Sequence, residues 1–168
     1  LELPADLVGA QEVRLDEAGQ QEFATYLKDK YRDVVFGNPL QRRFANSKLP
    51  TGGVAIIASP SLRLRKIHPN CDISRWLYGT TRFCHAVCQF EGMVLHVCSV
   101  YGYTNSAKDP AQREKNERLL QAVFHYLALL GDVPILLLGD LNTPPEVSPC
   151  LHSVVSSGEY FDVAATLA

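Results

Sequence analysis

The chain of 168 residues is 46% hydrophobic and 20% charged, with a formal net charge of −2 at pH 7. This composition is ordinary for a soluble globular domain with its own core, and it excludes a disordered chain and a binder that is basic over its whole surface. No apolar run approaches the roughly 20 residues that a membrane-spanning helix needs.

The first residues and the cysteines bear on where the protein resides. Leu1-Glu2-Leu3-Pro4 lacks the basic start of a signal peptide, and we interpret the chain as a piece of a longer protein. The five cysteines are odd in number and follow no disulfide framework spacing. Because free thiols persist in a reducing compartment, we expect an intracellular protein, nuclear or cytoplasmic.

The N-terminal third predicts three strands and one helix. A short apolar run over residues 5–12 ends in Gln11 and Glu12 and predicts a strand that delivers an acid. Residues 16–32 predict an amphipathic helix packed by its aromatic stripe, with acids early and bases late. That stripe consists of Phe23, Tyr26, Leu27 and Tyr31. Residues 34–36 and 52–59 predict two further strands around a polar loop, and residues 61–76 show no clear element.

Residues 82–90 and 93–101 flank the turn signal Glu91-Gly92 and predict an antiparallel hairpin with both arms largely buried. If Phe90 pairs with Met93, one face of the hairpin carries His85, His96 and Cys98. These side chains could ligate zinc. The alternative is that they are packed and hydrogen-bonded in a buried sheet.

A helix and the strand that follows it occupy the next part of the chain. Asp109 as N-cap and Pro110 at the first position open the helix, and Gly131 ends it. Residues 134–138 are an apolar run that predicts a strand buried on both faces. Asp140 and Asn142, two apart on extended backbone, would point the same way off its end. The alternative is a turn that Asp140 starts and Asn142 caps.

The chain also contains a predicted C-terminal helix and a basic middle segment. Ser148 and Pro149 predict a short last helix, with Leu151, Val154 and Val155 inward and Gly158 as its terminator. Between residues 37 and 90, eight arginines and lysines face a single acid, Asp72. This basic segment, from Arg42 to Arg82, predicts either a local positive surface for a phosphate-rich substrate or an ordinary solvated face.

The elements alternate without internal repeats or linkers, and residues 1–168 therefore predict one mixed α/β sandwich domain. Five segments, in this order, resemble the endonuclease/exonuclease/phosphatase family. They are Leu7-Val8-Gly9-Ala10-Gln11-Glu12-Val13-Arg14, Gly52-Gly53-Val54-Ala55-Ile56, Val100-Tyr101-Gly102, Gly139-Asp140-Leu141-Asn142 and the tail from Pro144 to Asp162. The resemblance covers most of the chain, and the combination of segments is specific.

The resemblance implies a DNase I-like four-layer α/β sandwich of two mixed sheets, here incomplete at both ends, and hydrolysis of phosphate esters. It also implies a divalent metal, Mg²⁺ or Mn²⁺, at one sheet edge. Mg²⁺ prefers oxygen ligands and keeps several waters, so one protein carboxylate and a substrate phosphate oxygen can hold it.

The resemblance also assigns roles to residues of this sequence. Glu12 resembles the metal-binding glutamate, and Asp140 the aspartate that orients or deprotonates the attacking water. Asn142 resembles the phosphate-contacting amide, and Tyr101 the tyrosine beside the scissile phosphate. Arg14 resembles the arginine near a nucleic-acid backbone. Asn105 resembles the loop asparagine, a position that Thr104 could equally occupy.

Part of the family pattern is absent from this sequence. The asparagine that precedes the Gln-Glu strand has no counterpart, and no Asp-His dipeptide occurs. In the family, that histidine contacts the phosphate, so the role passes to none of the five histidines. We therefore expect residues 1–168 alone to hydrolyse little or nothing.

Three functions remain open on the sequence. Arg14 and the basic segment favour endonuclease-type cleavage of nucleic acid. The same metal chemistry could act on a phosphoinositide, sphingomyelin or another small phosphoester. The third is a degenerate remnant that keeps the fold and binds a partner without catalysis.

Overall fold

The computed structural model describes residues 5–30, 32–42 and 47–163, which build two open sheets. The first sheet has the order β1-β3-β2, with β1 (Leu7–Gln11), β2 (Asp33–Phe36) and β3 (Val54–Ala58) all antiparallel. The second has the order β4-β5-β6-β7, with β4 (Arg65–Lys66), β5 (Phe83–Phe90), β6 (Met93–Tyr101) and β7 (Ile135–Asp140). The second sheet is mixed because β6 and β7 run parallel, as their connection through a helix requires.

Four α-helices and one 3-10 turn, Pro60–Leu62, connect the strands of the described part. They are α1 (Glu17–Asp29), α2 (Asp72–Gly79), α3 (Pro110–Leu129) and α4 (Pro149–Ser156). Asp16, Asp109 and Ser148 cap α1, α3 and α4, each accepting a hydrogen bond from a first-turn amide. These caps confirm the predicted helix starts. None of the described helices is long and apolar enough to cross a membrane.

The two sheets pack face to face, with helices outside them. Strands β1 and β3 contact β6, while α1 lies against β2 and α2 against β5. Helix α3 joins the second sheet through Tyr126, whose ring meets Phe83 edge-on at 5.7 Å. The order helix, sheet, sheet, helix confirms the predicted four-layer sandwich.

The hairpin of β5 and β6 has the predicted register, with Phe90 opposite Met93. Its burial differs from the prediction at the distal end. Phe90, Met93 and Val94 are 47%, 52% and 48% exposed, because the hairpin extends beyond the helices that cover its base.

Strand β7 was expected to be buried on both faces, and this was wrong. Residues 135–138 are half-buried, and Gly139 and Asp140 are exposed. The strand lies at the edge of its sheet, where β6 is its only neighbour among the described strands. The apolar run thus predicts that a strand forms, but it does not predict whether the strand lies in the middle or at the edge of the sheet.

The apolar faces of two helices also differ from expectation. On α1, Leu27 is buried and Phe23 lies 6.3 Å from the Phe36 ring, but Tyr26 is exposed. Tyr31, the last member of the predicted stripe, lies outside the described residues. On α4, Leu151 is buried while Val155 is exposed.

Candidate active site

Three strand ends carry the candidate residues. Tyr101 and Asp140 are the last residues of β6 and β7 and stand opposite each other in the parallel ladder. Glu12 follows β1 directly, and Gln11 Nε2 donates to Ser99 Oγ at 3.1 Å, which ties the end of β1 to β6. The fold therefore brings the predicted acids and the tyrosine to one edge of the sandwich.

The electrostatics of Tyr101 show how close these groups lie. The residue is 3% exposed, and burial raises the pKa of its phenol above the usual value. The charge of Glu12 raises this pKa further, as does Asp140, whereas Arg82 and Arg14 lower it. Two carboxylates and two guanidinium groups thus act on one hydroxyl.

The turn after β1 presents Glu12 to solvent. Glu12 and Arg14 adopt left-handed backbone, with φ of 57° and 50°. Two backbone hydrogen bonds hold this turn. Val13 N donates to Gly53 O at 3.1 Å, and Arg14 N donates to Gly52 O at 3.3 Å. Arg14 donates to Glu12 Oε1, and this hydrogen bond raises the pKa of Arg14. Both side chains are exposed, so the carboxylate is within reach of a cation or a substrate.

The sequence predicted extended backbone from Asp140 to Asn142. Instead, the backbone after β7 turns at Asn142, where φ is 54°. Asn142 N donates to Asp140 Oδ1 at 3.0 Å, which is the predicted turn, and Asn142 Nδ2 donates to Gly102 O at 3.1 Å. Asp140 is exposed, so its second carboxylate oxygen can still meet a water. The structure therefore has the turn that was the alternative, and this turn leaves the Asp140 carboxylate exposed.

Two glycines allow the ends of β6 and β7 to approach closely. A Cβ on Gly102 would lie 2.2 Å from Leu141 O, and one on Gly139 would lie 2.4 Å from Val100 O. No real side-chain carbon tolerates such contacts, so glycine is required at both positions.

The loop after β6 carries Asn105, which is exposed and has φ of 65°. Its carbonyl accepts Asp109 N at 2.8 Å, which joins the loop to the start of α3. Thr104, the alternative candidate, is exposed as well. Both lie in the loop that follows β6, and neither forms a side-chain hydrogen bond with Glu12, Tyr101 or Asp140 among the described residues.

Sequence reasoning missed Asn116, a 1% exposed residue on α3. Its Oδ1 accepts Tyr103 N at 2.8 Å, and its Nδ2 donates to Leu141 O at 2.9 Å. It thus bridges the loops that follow β6 and β7. The signal was an amide four residues before Leu120, on the apolar face of the helix.

Sequence reasoning also misplaced Arg82, which it counted in the basic segment. Arg82 is 6% exposed and lies beneath Tyr101. Other members are engaged elsewhere, since Arg42 pairs with Asp16 at 3.7 Å and Arg75 with Asp72 at 2.6 Å. Burial therefore removes Arg82 from any positive surface, whereas Arg42 and Arg75 are exposed, and the choice between a substrate surface and a solvated face stays open for them.

The hairpin histidines do not form the zinc site that was considered. His85 Nε2 lies 2.9 Å from His96 Nδ1, and His85 Nδ1 lies 2.9 Å from the Tyr126 hydroxyl. Burial lowers the pKa of His85 to about 4, with a smaller contribution from His96. In residues 5–30, 32–42 and 47–163, no three His, Cys, Asp or Glu side chains are grouped to hold a metal. The two histidines are instead packed and hydrogen-bonded in a buried sheet, which was the alternative interpretation.

Comparisons with known proteins bear on the fold. No family model and no curated protein matches the chain. The human Nocturnin catalytic domain with bound sulfate superposes with a TM-score of 0.60 at 10% identity, over 90% of this chain and 56% of that one. The 3′-5′ exonuclease NExo from Neisseria meningitidis gives 0.55 at 20% identity, over 86% and 50%. D. rerio TDP2 complexed with a single-strand DNA product gives 0.53 at 15% identity, over 94% and 53%.

These structures share the DNase I-like fold of the endonuclease/exonuclease/phosphatase family, and the chain has that fold. It spans between 50% and 56% of the length of these three structures. The resemblance stated from the sequence is thereby confirmed at the level of the fold.

Proposed function

We propose that the chain is part of a divalent-metal-dependent phosphodiesterase that cleaves nucleic acid in the manner of an endonuclease. The observation that carries the proposal is the meeting of Glu12, Tyr101 and Asp140 at one edge of the sandwich, where ends of both sheets lie together. Two acids beside a buried phenol and an arginine suit a phosphate ester, which needs a water-directing base and donors for its oxygens.

Glu12 would hold the metal. Its carboxylate is exposed at the tip of a turn, and the described residues around it offer no all-protein cage. Mg²⁺ fits such a site because it retains waters and takes one or two carboxylates together with substrate phosphate oxygens; Mn²⁺ is a natural substitute. When bound, the metal would neutralise negative charge that develops on the phosphate oxygens. Arg14, now paired with Glu12, would be released toward the nucleic-acid backbone.

Asp140 would direct the attacking water. One of its oxygens holds the turn through Asn142 N, which orients the carboxylate and leaves the other oxygen for the water. Asn142 has a second amide hydrogen beyond the one given to Gly102 O, and it would donate that hydrogen to a phosphate oxygen. The Tyr101 hydroxyl would do the same, and its raised pKa keeps it protonated as a donor. Asn105 would contact the substrate from its exposed loop.

The choice of nucleic acid over a small phosphoester rests on two supports. The structural neighbours TDP2 and NExo are described with DNA products bound. Arg14 lies beside the proposed metal ligand, where a polynucleotide backbone would pass.

The test is metal-dependent cleavage of DNA and RNA oligonucleotides, in single-turnover reactions, by the complete phosphodiesterase of which the chain is proposed to be part. Asp140→Asn should abolish cleavage and retain binding, since it keeps the size of the side chain but removes the base. Asp132→Asn, an exposed aspartate before β7, is the matched control and should cleave normally.

Metal binding is measured separately by calorimetric titration. Glu12→Gln should abolish it without unfolding the domain, while Glu22→Gln on α1 should leave it unchanged. Equal metal affinity in the Glu12→Gln variant, or unchanged cleavage by Asp140→Asn, would reject the assignment. Absence of nucleic-acid cleavage by the complete phosphodiesterase of which the chain is proposed to be part would reject the function itself.

A further inference from the structure

Arg82 is a buried cation directly before β5. Its guanidinium lies between two aromatic rings, 4.8 Å from the centroid of Tyr101 and 4.2 Å from that of Tyr103. Its Nη1 donates to Tyr101 O at 3.2 Å and to Gly102 O at 2.9 Å. Its Nη2 lies at 3.5 Å from Thr51 O and 3.4 Å from Thr51 Oγ1. Among the described residues no carboxylate forms an ion pair with it.

An unpaired buried charge is costly, and arginines in protein interiors are normally compensated by an acid. Here carbonyl dipoles and two ring faces take that place. The planar fork of arginine suits this arrangement because it directs several N–H groups at once toward fixed acceptors, whereas a lysine ammonium is a single point donor.

The acceptors of Arg82 belong to segments that meet at the site. Gly102 O also accepts Asn142 Nδ2, so the guanidinium and the turn after β7 share one oxygen. Tyr101 O and Gly102 O belong to the end of β6. Arg82 therefore joins the ends of β6 and β7 through one carbonyl.

Through Thr51, the same arginine is also connected to the turn after β1. Thr51 precedes Gly52 and Gly53, whose carbonyls accept Arg14 N and Val13 N. The residue before Arg82 takes part as well, since Thr81 O accepts Gly53 N at 2.9 Å. All three strand ends that carry candidate residues are thus connected through Thr81 and Arg82.

We propose that Arg82 is the positioning residue of this site, whose guanidinium clamps the carbonyls of Thr51, Tyr101 and Gly102 and so sets the three strand ends relative to one another. It acts through Tyr101 and Asn142 and does not touch the substrate. Its importance for catalysis rests on the proposed phosphodiesterase function, but the clamp itself is testable without a substrate.

The first experiment is amide hydrogen exchange by NMR on the chain, with Arg82→Lys and Arg82→Ala compared with the unmodified protein. We expect exchange of the Val13, Arg14 and Gly53 amides to accelerate about ten- to a hundredfold in both variants, because a charge-assisted hydrogen bond is lost. Amides in the middle of α1 and α3 should keep their protection and report that the domain is folded. Arg118→Met, an exposed arginine on the outer side of α3, is the matched control and should change none of these rates.

The second experiment tests whether the planar guanidinium is needed or whether any positive charge at this position suffices. Free guanidinium, below its denaturing range, should enter the space left by Arg82→Ala and restore amide protection, whereas ammonium at equal ionic strength should not. In single-turnover cleavage, Arg82→Lys should lower kcat roughly a hundredfold with little change in KM, because a misplacement near 1 Å costs about that much. Guanidinium should recover part of the loss in Arg82→Ala.

The outcomes distinguish the two proposals. Unchanged exchange at the three amides in Arg82→Lys and Arg82→Ala overturns the clamp. Full retention of protection and rate in Arg82→Lys also overturns it, since charge alone would then suffice. Faster exchange in the variants, together with no cleavage by the complete protein that contains the chain, supports the clamp and rejects the phosphodiesterase.

Discussion

Gly102→Ala tests whether the close contact between the ends of β6 and β7 is needed for function. The added Cβ would lie 2.2 Å from Leu141 O and 2.5 Å from the carbonyl carbon. A carbon and a carbonyl oxygen in ordinary close contact are about 3.3 Å apart, so Leu141 must withdraw by roughly 1 Å. The obstacle is backbone, so no side-chain rotation can relieve it.

That displacement predicts a larger effect on rate than on folding. Overpacking of this kind costs about 1–3 kcal/mol in the free energy of unfolding, which a domain of ordinary stability survives. Asn142 moves with Leu141, and its bond to Gly102 O, now 3.1 Å, lengthens or breaks. A misplacement of about 1 Å at a reacting centre lowers the rate roughly a hundredfold.

The assay pairs urea denaturation of the chain with single-turnover cleavage by the complete phosphodiesterase of which it is proposed to be part. Gly79→Ala, at the end of α2, is the matched control because no atom lies within 4 Å of its added Cβ. This control should be neutral or stabilising by up to about 1 kcal/mol. Normal cleavage by Gly102→Ala would refute the reasoning, and so would equal damage from Gly79→Ala.

Three other outcomes are expected. Asn116→Ala should lower the free energy of unfolding by about 3 kcal/mol in urea titrations, since it leaves a buried amide and a carbonyl without partners, while Asn70→Ala, exposed, should stay within about 0.5 kcal/mol. At about −0.9 for each phosphate contact, the eight basic residues of the segment would give a slope of log affinity for a DNA oligonucleotide against log salt of about −7. Buried Arg82 cannot contribute, so the slope should be shallower than this, and a slope of about −7 or steeper would contradict the prediction. Burial lowers the pKa of His85 to about 4, so its neutral form contributes stability above about pH 6.5 that is lost as pH falls toward 4. His85→Leu should flatten the profile of unfolding free energy in that window, and an unchanged profile would show that the titrating group lies elsewhere.

Local sequence signals predicted those elements of the fold that local interactions determine. Asp109 and Pro110 begin α3, and Glu91-Gly92 turns the hairpin in the predicted register, because caps and tight turns depend on adjacent residues. Residues 61–76 gave no prediction, yet they contain β4 and the first part of α2. Those elements are two and eight residues long, and the second is stabilised by packing against α3 and β5.

In the site, too, some residues could be found from the sequence and others depend on contacts between distant segments. Resemblance supplied Glu12, Tyr101 and Asp140, whose placement at strand ends the structure bears out, while their roles remain proposals. Arg82 and Asn116 were not found because their importance lies in hydrogen bonds to loops 13 to 31 residues away in sequence. Such contacts exist only after the sheets are assembled, and no periodicity or motif of one segment encodes them.

The backbone offers support for the site that is independent of the resemblance. Among the described residues, seven that are not glycine have positive φ, and four of these are Glu12, Arg14, Asn105 and Asn142. Left-handed backbone costs most side chains roughly 1–2 kcal/mol, and asparagine less than others. Glycine would relieve that cost at Glu12 and Arg14, so the chain keeps an acid and a base where the backbone disfavours them. Such conformations cluster at functional sites, where surrounding contacts enforce them, and here the carbonyls of Gly52 and Gly53 do so. Four of the seven left-handed residues thus carry proposed roles, while Arg63, Thr81 and Glu91 carry none and Tyr101 and Asp140 are not left-handed.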